Sequence, residues 1–201
     1  MKKIVIILFL SLLGNVSVNA QTEAYYQGQH LISGGYGFGT IIGSLFNDIN
    51  SYSDFNTTFT GPLYLKFESG LTDKLGLGIN LAYAKYQASY TYDSYYGTSY
   101  GTYTETDSYT TYSILARLNW HFGQVEKFDP YWGFGVGYRD GRWKYTSTDP
   151  YGTNDIDYGG YFPFGFELTI GAHLWLSSNF GLYAETGIAK SVVQFGLAGR
   201  F

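Results

Sequence analysis

Seven charged residues share one property: each falls on the small or polar side of a segment whose other side is apolar. Acids and bases on one side can form ion pairs, which are stable away from water only when every charge has a partner. Four positive charges roughly balance three negative ones. The pattern predicts a polar network built from Lys66, Glu68, Arg117, Arg139, Glu167, Glu185 and Arg200.

The sequence offers little for catalysis or metal binding. His121 and His173 fall on the same polar side as the charges, but no nucleophile stands at a matching spacing. Three histidines and no cysteine argue against a metal site. Four aspartates could bind calcium, but their spacing fits no calcium loop, so a solvated acidic loop is favoured at Asp140, Asp149, Asp155 and Asp157. We therefore predict no enzymatic activity, no cofactor and no metal.

The stretch from Tyr83 to Tyr112 is rich in tyrosine, interspersed with serine, threonine and glycine. In antibody paratopes, tyrosine supplies contact area at low entropic cost, and serine and glycine supply adaptable hydrogen bonding. Two interpretations stay open and are compatible with each other: two strands that simply extend past a membrane as a hairpin, which is favoured, and a recognition surface for an extracellular protein or glycan. The candidate recognition residues are Tyr90, Tyr92, Tyr95, Tyr96, Tyr100 and Tyr103.

These residues must be positioned by strands, because eight segments alternate between apolar and small or polar residues with a period of two. This is the pattern of transmembrane β-strands. In each segment, alternate residues are predicted to face lipid. In the first two segments these are Ile32, Tyr36 and Phe38, and Phe59, Leu63, Leu65 and Phe67. In the other six they are the apolar residues within Leu75 to Tyr83, Tyr112 to Phe122, Trp132 to Tyr138, Phe162 to Leu174, Phe180 to Ile188, and Val193 to Phe201.

A water-soluble barrel would also alternate, but it would turn its apolar side inward. Here the polar side is also rich in glycine, which suits a crowded lumen with bulky residues facing lipid. An interior enclosed by eight strands is only wide enough to be filled by side chains, so a closed network is favoured over a narrow pore. Glu68 and Arg200 are predicted near the periplasmic end and Arg139 near the outer rim, so not all seven charges can meet.

The connections are predicted to alternate between short periplasmic turns and longer extracellular loops. Short turns are expected near 72–74, 124–130 and 177–179. Long loops are expected at 40–56, 90–111 and 140–160, followed by a hairpin near 189–191. Both chain termini then fall on the periplasmic side.

The N-terminus has the features of a secretory signal peptide. Lys2 and Lys3 precede an apolar run too short to cross a bilayer, and Val18-Asn19-Ala20 offers a cleavage site. We expect residues 1–20 to be removed, residues 21–29 to form a short periplasmic segment and residues 30–201 to form the barrel. The mature chain would carry 10 basic and 16 acidic residues, a net charge of −6 that argues against a nucleic-acid partner.

The last nine residues, Val193 to Phe201, resemble the terminal strand of outer-membrane proteins, which ends on an aromatic residue. The segments 71–78 and 176–182 resemble the periplasmic hairpins of the small OmpA/OmpX-like, or porin-family, barrels of Gram-negative bacteria. The resemblance covers nearly all of residues 30–201. It implies that the barrel-assembly machinery recognises Phe201, but it says little about function, since such barrels include anchors, adhesins, pores and a few enzymes.

The sequence thus predicts an all-β, eight-stranded antiparallel up-and-down barrel in the outer membrane, monomeric, in contact with lipid and lipopolysaccharide. The expected role is structural or adhesive, with a plugged polar lumen. The alternative is a small passive pore for water-soluble solutes.

Overall fold

The computed structural model describes residues 24–40, 55–96, 99–123, 127–152, 155–160 and 163–201. Within these ranges the chain forms β-strands joined by turns. Their bounds are β1 His30–Phe38, β2 Phe55–Gly70, β3 Leu75–Tyr96, β4 Ser99–His121, β5 Phe128–Ser147, β6 Ile156–Gly159, β7 Phe164–Trp175, β8 Phe180–Ile188 and β9 Val193–Arg200.

Eight of these strands close into a barrel in which every neighbouring pair is antiparallel. The order runs β4-β3-β2-β1-β9-β8-β7-β5, and pairing between β4 and β5 closes the ring. The remaining strand, β6, pairs with β5 outside the ring. The predicted eight-stranded antiparallel barrel is therefore confirmed. In the described part of the chain, no helix is long and apolar enough to cross a bilayer.

The barrel turns its apolar residues outward, as the alternation predicted. On β4, Ile114 is 54% exposed, whereas Leu115, the next residue, is completely buried in the interior. Tyr112 and Tyr138 form part of an aromatic girdle at the upper edge of this apolar belt, with ring centroids 5.9 Å apart, and Trp120 lies in the lower girdle. The nine residues from Tyr112 to Trp120 span about 27 Å along the strand. This is the number of residues that a tilted strand needs to cross the hydrocarbon core, so the fold is that of a transmembrane barrel.

One predicted orientation is wrong, at the start of β2. Phe59 was expected to face lipid with Leu63, but it pairs with Tyr86, whose side chain continues the lumen-facing side. The reason is a bulge between Thr60 and Leu63, where the register of β2 against β3 shifts by one residue. A one-residue shift moves every following side chain to the other face of a sheet.

Two predicted loops are largely strand, and one predicted turn is strand in part. β3 and β4 remain paired from Leu75↔Trp120 up to Tyr96↔Ser99, so the expected loop at 90–111 is a long hairpin. The expected loop at 140–160 contains the end of β5 and all of β6, and β5 begins inside the expected turn at 124–130. The loop predicted at 40–56 and the strand position of Phe162 lie largely outside the described residues, whereas the hairpin near 189–191 is confirmed.

The strands on one side of the barrel continue beyond the girdle as a sheet that we name the extracellular blade. It comprises residues 55–60 of β2, 84–96 of β3, 99–111 of β4, 139–147 of β5, and β6. From Tyr83 to Tyr96 the blade adds roughly 44 Å of strand beyond the membrane. The favoured interpretation of the tyrosine-rich stretch, a hairpin extending past the membrane, is confirmed.

Candidate functional site

The centre of the lumen is organised around Arg117 of β4. Its guanidinium donates to Glu167 Oε1 at 2.9 Å, to Glu185 Oε1 at 2.8 Å and to Glu185 Oε2 at 3.1 Å. It also donates to Thr169 Oγ1 at 2.9 Å and Asn119 Oδ1 at 2.7 Å. One side chain of β4 is therefore joined to both β7 and β8, which are neighbours in the ring and do not pair with β4.

Glu185 of β8 has four partners in this central group, as many as Arg117 has. Besides Arg117, it lies 2.7 Å from Lys66 Nζ and accepts from Tyr131 at 2.7 Å and from Gln194 at 2.8 Å. Buried charges are tolerated when their lone pairs and protons are used in this way. The second carboxylate, Glu167, has fewer partners: besides Arg117 it accepts from Asn80 at 2.8 Å.

A second polar cluster lies nearer the periplasmic end. His121 Nε2 lies 2.7 Å from Glu68, and its Nδ1 lies 2.8 Å from Asp129, which is also 3.1 Å from His173 Nδ1. Asn119 joins this cluster to the central one, since its side chain accepts from Arg117 and donates to Glu68. Both ring nitrogens of His121 are engaged by carboxylates, which fixes the ring in place.

The segment before β1 enters the periplasmic end of the barrel. Tyr25 is 2% exposed and its ring stacks on His121 with centroids 3.5 Å apart. The backbone oxygen of Ala24 accepts from Arg200 at 2.8 Å, and the Arg200 guanidinium lies 4.3 Å from the centroid of Trp175. Tyr25, which precedes β1, and Trp175, the last residue of β7, thus form an aromatic layer that covers the periplasmic end.

Inward-facing glycines leave the space that these side chains use. A Cβ added at Gly133 would collide with the Arg117 guanidinium, and one added at Gly76 would collide with the Glu68 carboxylate. Such approaches are closer than ordinary van der Waals contact allows. The remaining cavity beside Lys66 and Arg117 has a volume of about 10 Å³.

Five of the seven predicted charges are brought together, and two are not. Lys66, Arg117, Glu167 and Glu185 form the central group, and Glu68 joins it through Asn119. The other two charges lie at the lumen ends predicted for them: Arg200 at the periplasmic layer, and Arg139 near the extracellular mouth.

Sequence reasoning missed Asp129, which is completely buried between the two histidines. It falls within the periplasmic turn predicted at 124–130, yet β5 begins at Phe128 and turns Asp129 inward. The sequence did contain a signal for this position. Counting back in steps of two from Gly133 places both Tyr131 and Asp129 on the lumen side of the strand.

The six candidate recognition tyrosines do not share one surface. Tyr92 and Tyr103 lie on the face that continues the lumen side, with ring centroids 6.1 Å apart. Tyr95 and Tyr100 form a pair on the opposite face near the tip, 4.8 Å apart, and Tyr95 is 72% exposed. Tyr90 belongs with Tyr92. The side-chain position of Tyr96 lies outside the described residues.

The blade thus has two chemically different faces. One carries an aromatic stripe that continues upward from the lumen: Tyr86, Tyr90, Tyr92, Tyr103, Tyr109, Trp143 and Tyr145. The other is lined by hydroxyl pairs such as Thr91 and Thr104, whose oxygens are 3.0 Å apart. Cross-strand contacts of both kinds stabilise a sheet that has no barrel around it.

Two of the four aspartates weighed as a calcium site have separate partners. Asp140 accepts from Tyr112 and Tyr138 at the girdle, both at 3.3 Å, whereas Asp149 accepts from Tyr92 at 2.9 Å. The hydrogen bond to Asp149 raises the pKa of Tyr92, because loss of the phenol proton would break this bond and place a negative charge beside the Asp149 carboxylate. Within the described ranges, no group of His, Asp and Glu residues is arranged to hold a metal ion.

The closed ring of eight strands, its apolar belt and its polar interior define a small transmembrane β-barrel of the outer-membrane type. Similar solved structures include Ail of Yersinia pestis, at 16% identity over 87% of this chain and 99% of that chain, with a TM-score of 0.49. A second Ail structure holds the heparin analogue sucrose octasulfate, with the same identity and TM-score.

Two Pseudomonas aeruginosa proteins are also similar. OprG matches at 14% identity over 90% of this chain and 99% of that chain, with a TM-score of 0.44. The N-terminal barrel of OprF matches at 15% identity over 88% and 99%, with a TM-score of 0.41. No family model and no curated protein matches the chain.

Proposed function

We propose that this protein is an integral outer-membrane protein with a surface-interaction role and a closed lumen, and that it is not an enzyme. The observation that carries the proposal is the extracellular blade. Its strands continue roughly 44 Å past the girdle and present an aromatic stripe beyond the membrane. Tyrosine-rich surfaces of this kind favour adaptable contacts with proteins or glycans.

The edges of the blade add a second means of contact. Among the described residues, β3 has no further pairing with β2 above Tyr90, so the strand edge from 91 to 96 is the edge that we propose for such contact. An exposed strand edge can accept an added strand from another chain. Backbone pairing at this edge would complement side-chain contacts on the aromatic stripe.

The closed lumen is supported by the linkage of the two polar clusters. Lys66, Arg117, Glu167 and Glu185 engage one another across the barrel, and Tyr25 covers the periplasmic end. A cavity of about 10 Å³ beside this network holds at most one water. A passive pore would need a continuous file of waters through the same space.

Export and assembly follow from the same proposal. The signal peptide would be removed after Ala20, and Phe201 would serve as the signal for the barrel-assembly machinery. The protein would then be a monomer whose apolar belt contacts lipid and lipopolysaccharide.

The recognition role is tested by shortening the blade without touching the barrel. Replacing residues 90–105 by Asn-Gly joins Ser89 to Thr106, which already pair, through a two-residue turn. Cells displaying the full and the shortened protein are compared on arrays of glycans and extracellular-matrix proteins. The doubly substituted Tyr92→Ala, Tyr103→Ala protein is the matched variant that keeps the blade but loses part of its stripe.

We expect binding by the full protein, weaker binding by the double variant and none by the shortened protein. The heat-dependent gel shift must show that all three are folded barrels. Equal binding by the full and shortened proteins to every surface would refute the recognition role.

The closed lumen is tested by single-channel recording of the refolded protein in a planar bilayer. We expect a folded but electrically silent barrel. Discrete openings that change in Arg117→Ala or Glu185→Ala would move the passive pore to first place.

A further inference from the structure

The extracellular mouth of the barrel contains a cavity of about 420 Å³ that the polar network below it does not fill. Its wall is built from β3, β4, β5 and the β8–β9 turn, and includes Tyr86, Tyr109, Thr111, Arg139 and Lys190. Cavities of this size accommodate small organic ligands. The cavity lies at the base of the blade, apart from the tip tyrosines.

Two cations line this cavity without an acidic partner among the described residues. Lys190 Nζ donates to Thr111 Oγ1 at 2.8 Å. Among the described residues, the guanidinium of Arg139 donates to the backbone oxygen of Phe166 at 3.3 Å, and its Nε is buried without a hydrogen-bond partner. Within the described ranges, neither residue takes part in an ion pair. By contrast, the central lumen cations all face carboxylates.

The two cations also repel each other. Burial, and then the charge of Arg139, lower the pKa of Lys190 to about 7. The other titratable groups facing Lys190 across the cavity are the phenols of Tyr86 and Tyr109; burial raises the pKa of Tyr86, which stays neutral. Two like charges in one cavity are unfavourable unless an anion lies between them.

One wall of the cavity is aromatic. The rings of Tyr86 and Tyr109 lie 6.4 Å apart and nearly parallel, and Tyr86 is buried. Aromatic faces of this kind can pack against the apolar face of a ring. Combined with Thr111 as a further polar contact, the wall fits a ring that carries hydroxyl groups.

We infer that this cavity binds a sugar-sized ligand bearing a sulfate or phosphate ester, with the oxyanion held between Arg139 and Lys190 and the ring against Tyr86 and Tyr109. Arg139 supplies planar, charge-assisted donors and Lys190 a point charge, the two usual ways of binding such an anion. A soluble anionic glycan and the phosphorylated sugar headgroup of lipopolysaccharide share this chemistry.

The test is a titration of the full chain, refolded in a polyoxyethylene detergent that contains no sugar, sulfate or phosphate. Glucose 6-sulfate is the probe, and glucose and inorganic sulfate report the ring and the anion separately. Binding is followed by calorimetry and by the amide resonances of Gly187 and Ser191, which line the cavity. Arg139→Gln and Lys190→Gln remove each cation, and Arg142→Gln, an exposed position of β5 outside the cavity, is the matched control.

We expect glucose 6-sulfate to bind saturably and to shift both amides, and each cavity variant to weaken it about tenfold or more. Arg142→Gln should bind like the unmodified chain. Competition by lipid A in neutral vesicles would assign the site to the membrane's own headgroups, and lack of competition would assign it to soluble glycans. Absence of saturable binding, absence of amide shifts in the unmodified chain, or affinities unchanged in both cavity variants would overturn the inference.

Discussion

Replacing Arg117 by methionine should strongly destabilise the barrel. Methionine preserves much of the side-chain length but removes five hydrogen bonds to Asn119, Glu167, Thr169 and Glu185. Glu185 keeps a cation, because Lys66 remains 2.7 Å away. Glu167 loses its cation and keeps the Asn80 amide as its remaining side-chain partner. The variant therefore leaves one buried carboxylate without a counter-charge.

Breaking a buried ion pair from one side typically costs about 3–5 kcal/mol, and most of this reflects the charge left behind. We expect that loss in the free energy of unfolding of Arg117→Met. Neutralising the stranded carboxylate should recover part of it, so the double variant Arg117→Met, Glu167→Gln should be more stable than Arg117→Met alone. Glu167→Gln by itself should cost less, because Arg117 keeps Glu185.

The assay is urea unfolding in lipid vesicles, followed by tryptophan fluorescence and by the gel shift of the folded barrel. Arg142→Met, at an exposed position of the blade, is the control for loss of a positive charge. A loss below about 1 kcal/mol for Arg117→Met, the value of a surface pair, would contradict the role assigned to the central network. A double variant no more stable than Arg117→Met would show that the stranded charge is not the cause.

Three further predictions concern the belt, the lumen glycines and the mouth cavity. Ala116→Arg, at mid-height on the lipid face of β4, should cost about 2–4 kcal/mol in unfolding measurements, whereas Thr110→Arg, on the same face beyond the girdle, should be near neutral. Gly133→Val should hinder folding on the gel-shift assay, because its Cβ would collide with a lumen guanidinium, whereas Gly159→Val meets nothing within 4 Å and should fold normally. Calorimetric affinity for glucose 6-sulfate should fall as the pH rises through about 7, because Lys190 loses its proton there while the sulfate ester keeps its charge; a flat profile from pH 6 to 8 would exclude Lys190 as the responsible group.

The sequence alone determined the architecture, because a period of two is a local property of each strand. The alternation of Leu77 and Ile79 with Gly78 and Asn80 gives the two faces of β3 before any partner is known. Glycine on the inner side and bulky residues on the outer side then indicate a barrel in lipid. The number of strands and their antiparallel order followed from the eight segments and the connections between them.

The ends of strands were less determined by local pattern. Serine, threonine and tyrosine in 90–111 suit a loop and a solvated strand equally well, and cross-strand partners decide between them. The same holds for the bulge in β2, where one extra residue moves Phe59 to the face of Tyr86. A bulge is defined by the partner strand, so alternation along one strand does not reveal it.

Which charged side chains contact one another in the lumen was decided by the tertiary structure alone. Alternation showed that Arg117, Glu167 and Glu185 point inward, but their heights in the lumen depend on the stagger of β4, β7 and β8 around the ring. That stagger brings Arg117 to both carboxylates, leaves Arg139 beside Lys190 at the mouth, and places Tyr25 against His121. Side chains that meet across a lumen belong to strands that need not be neighbours, and only the closed ring fixes their separation.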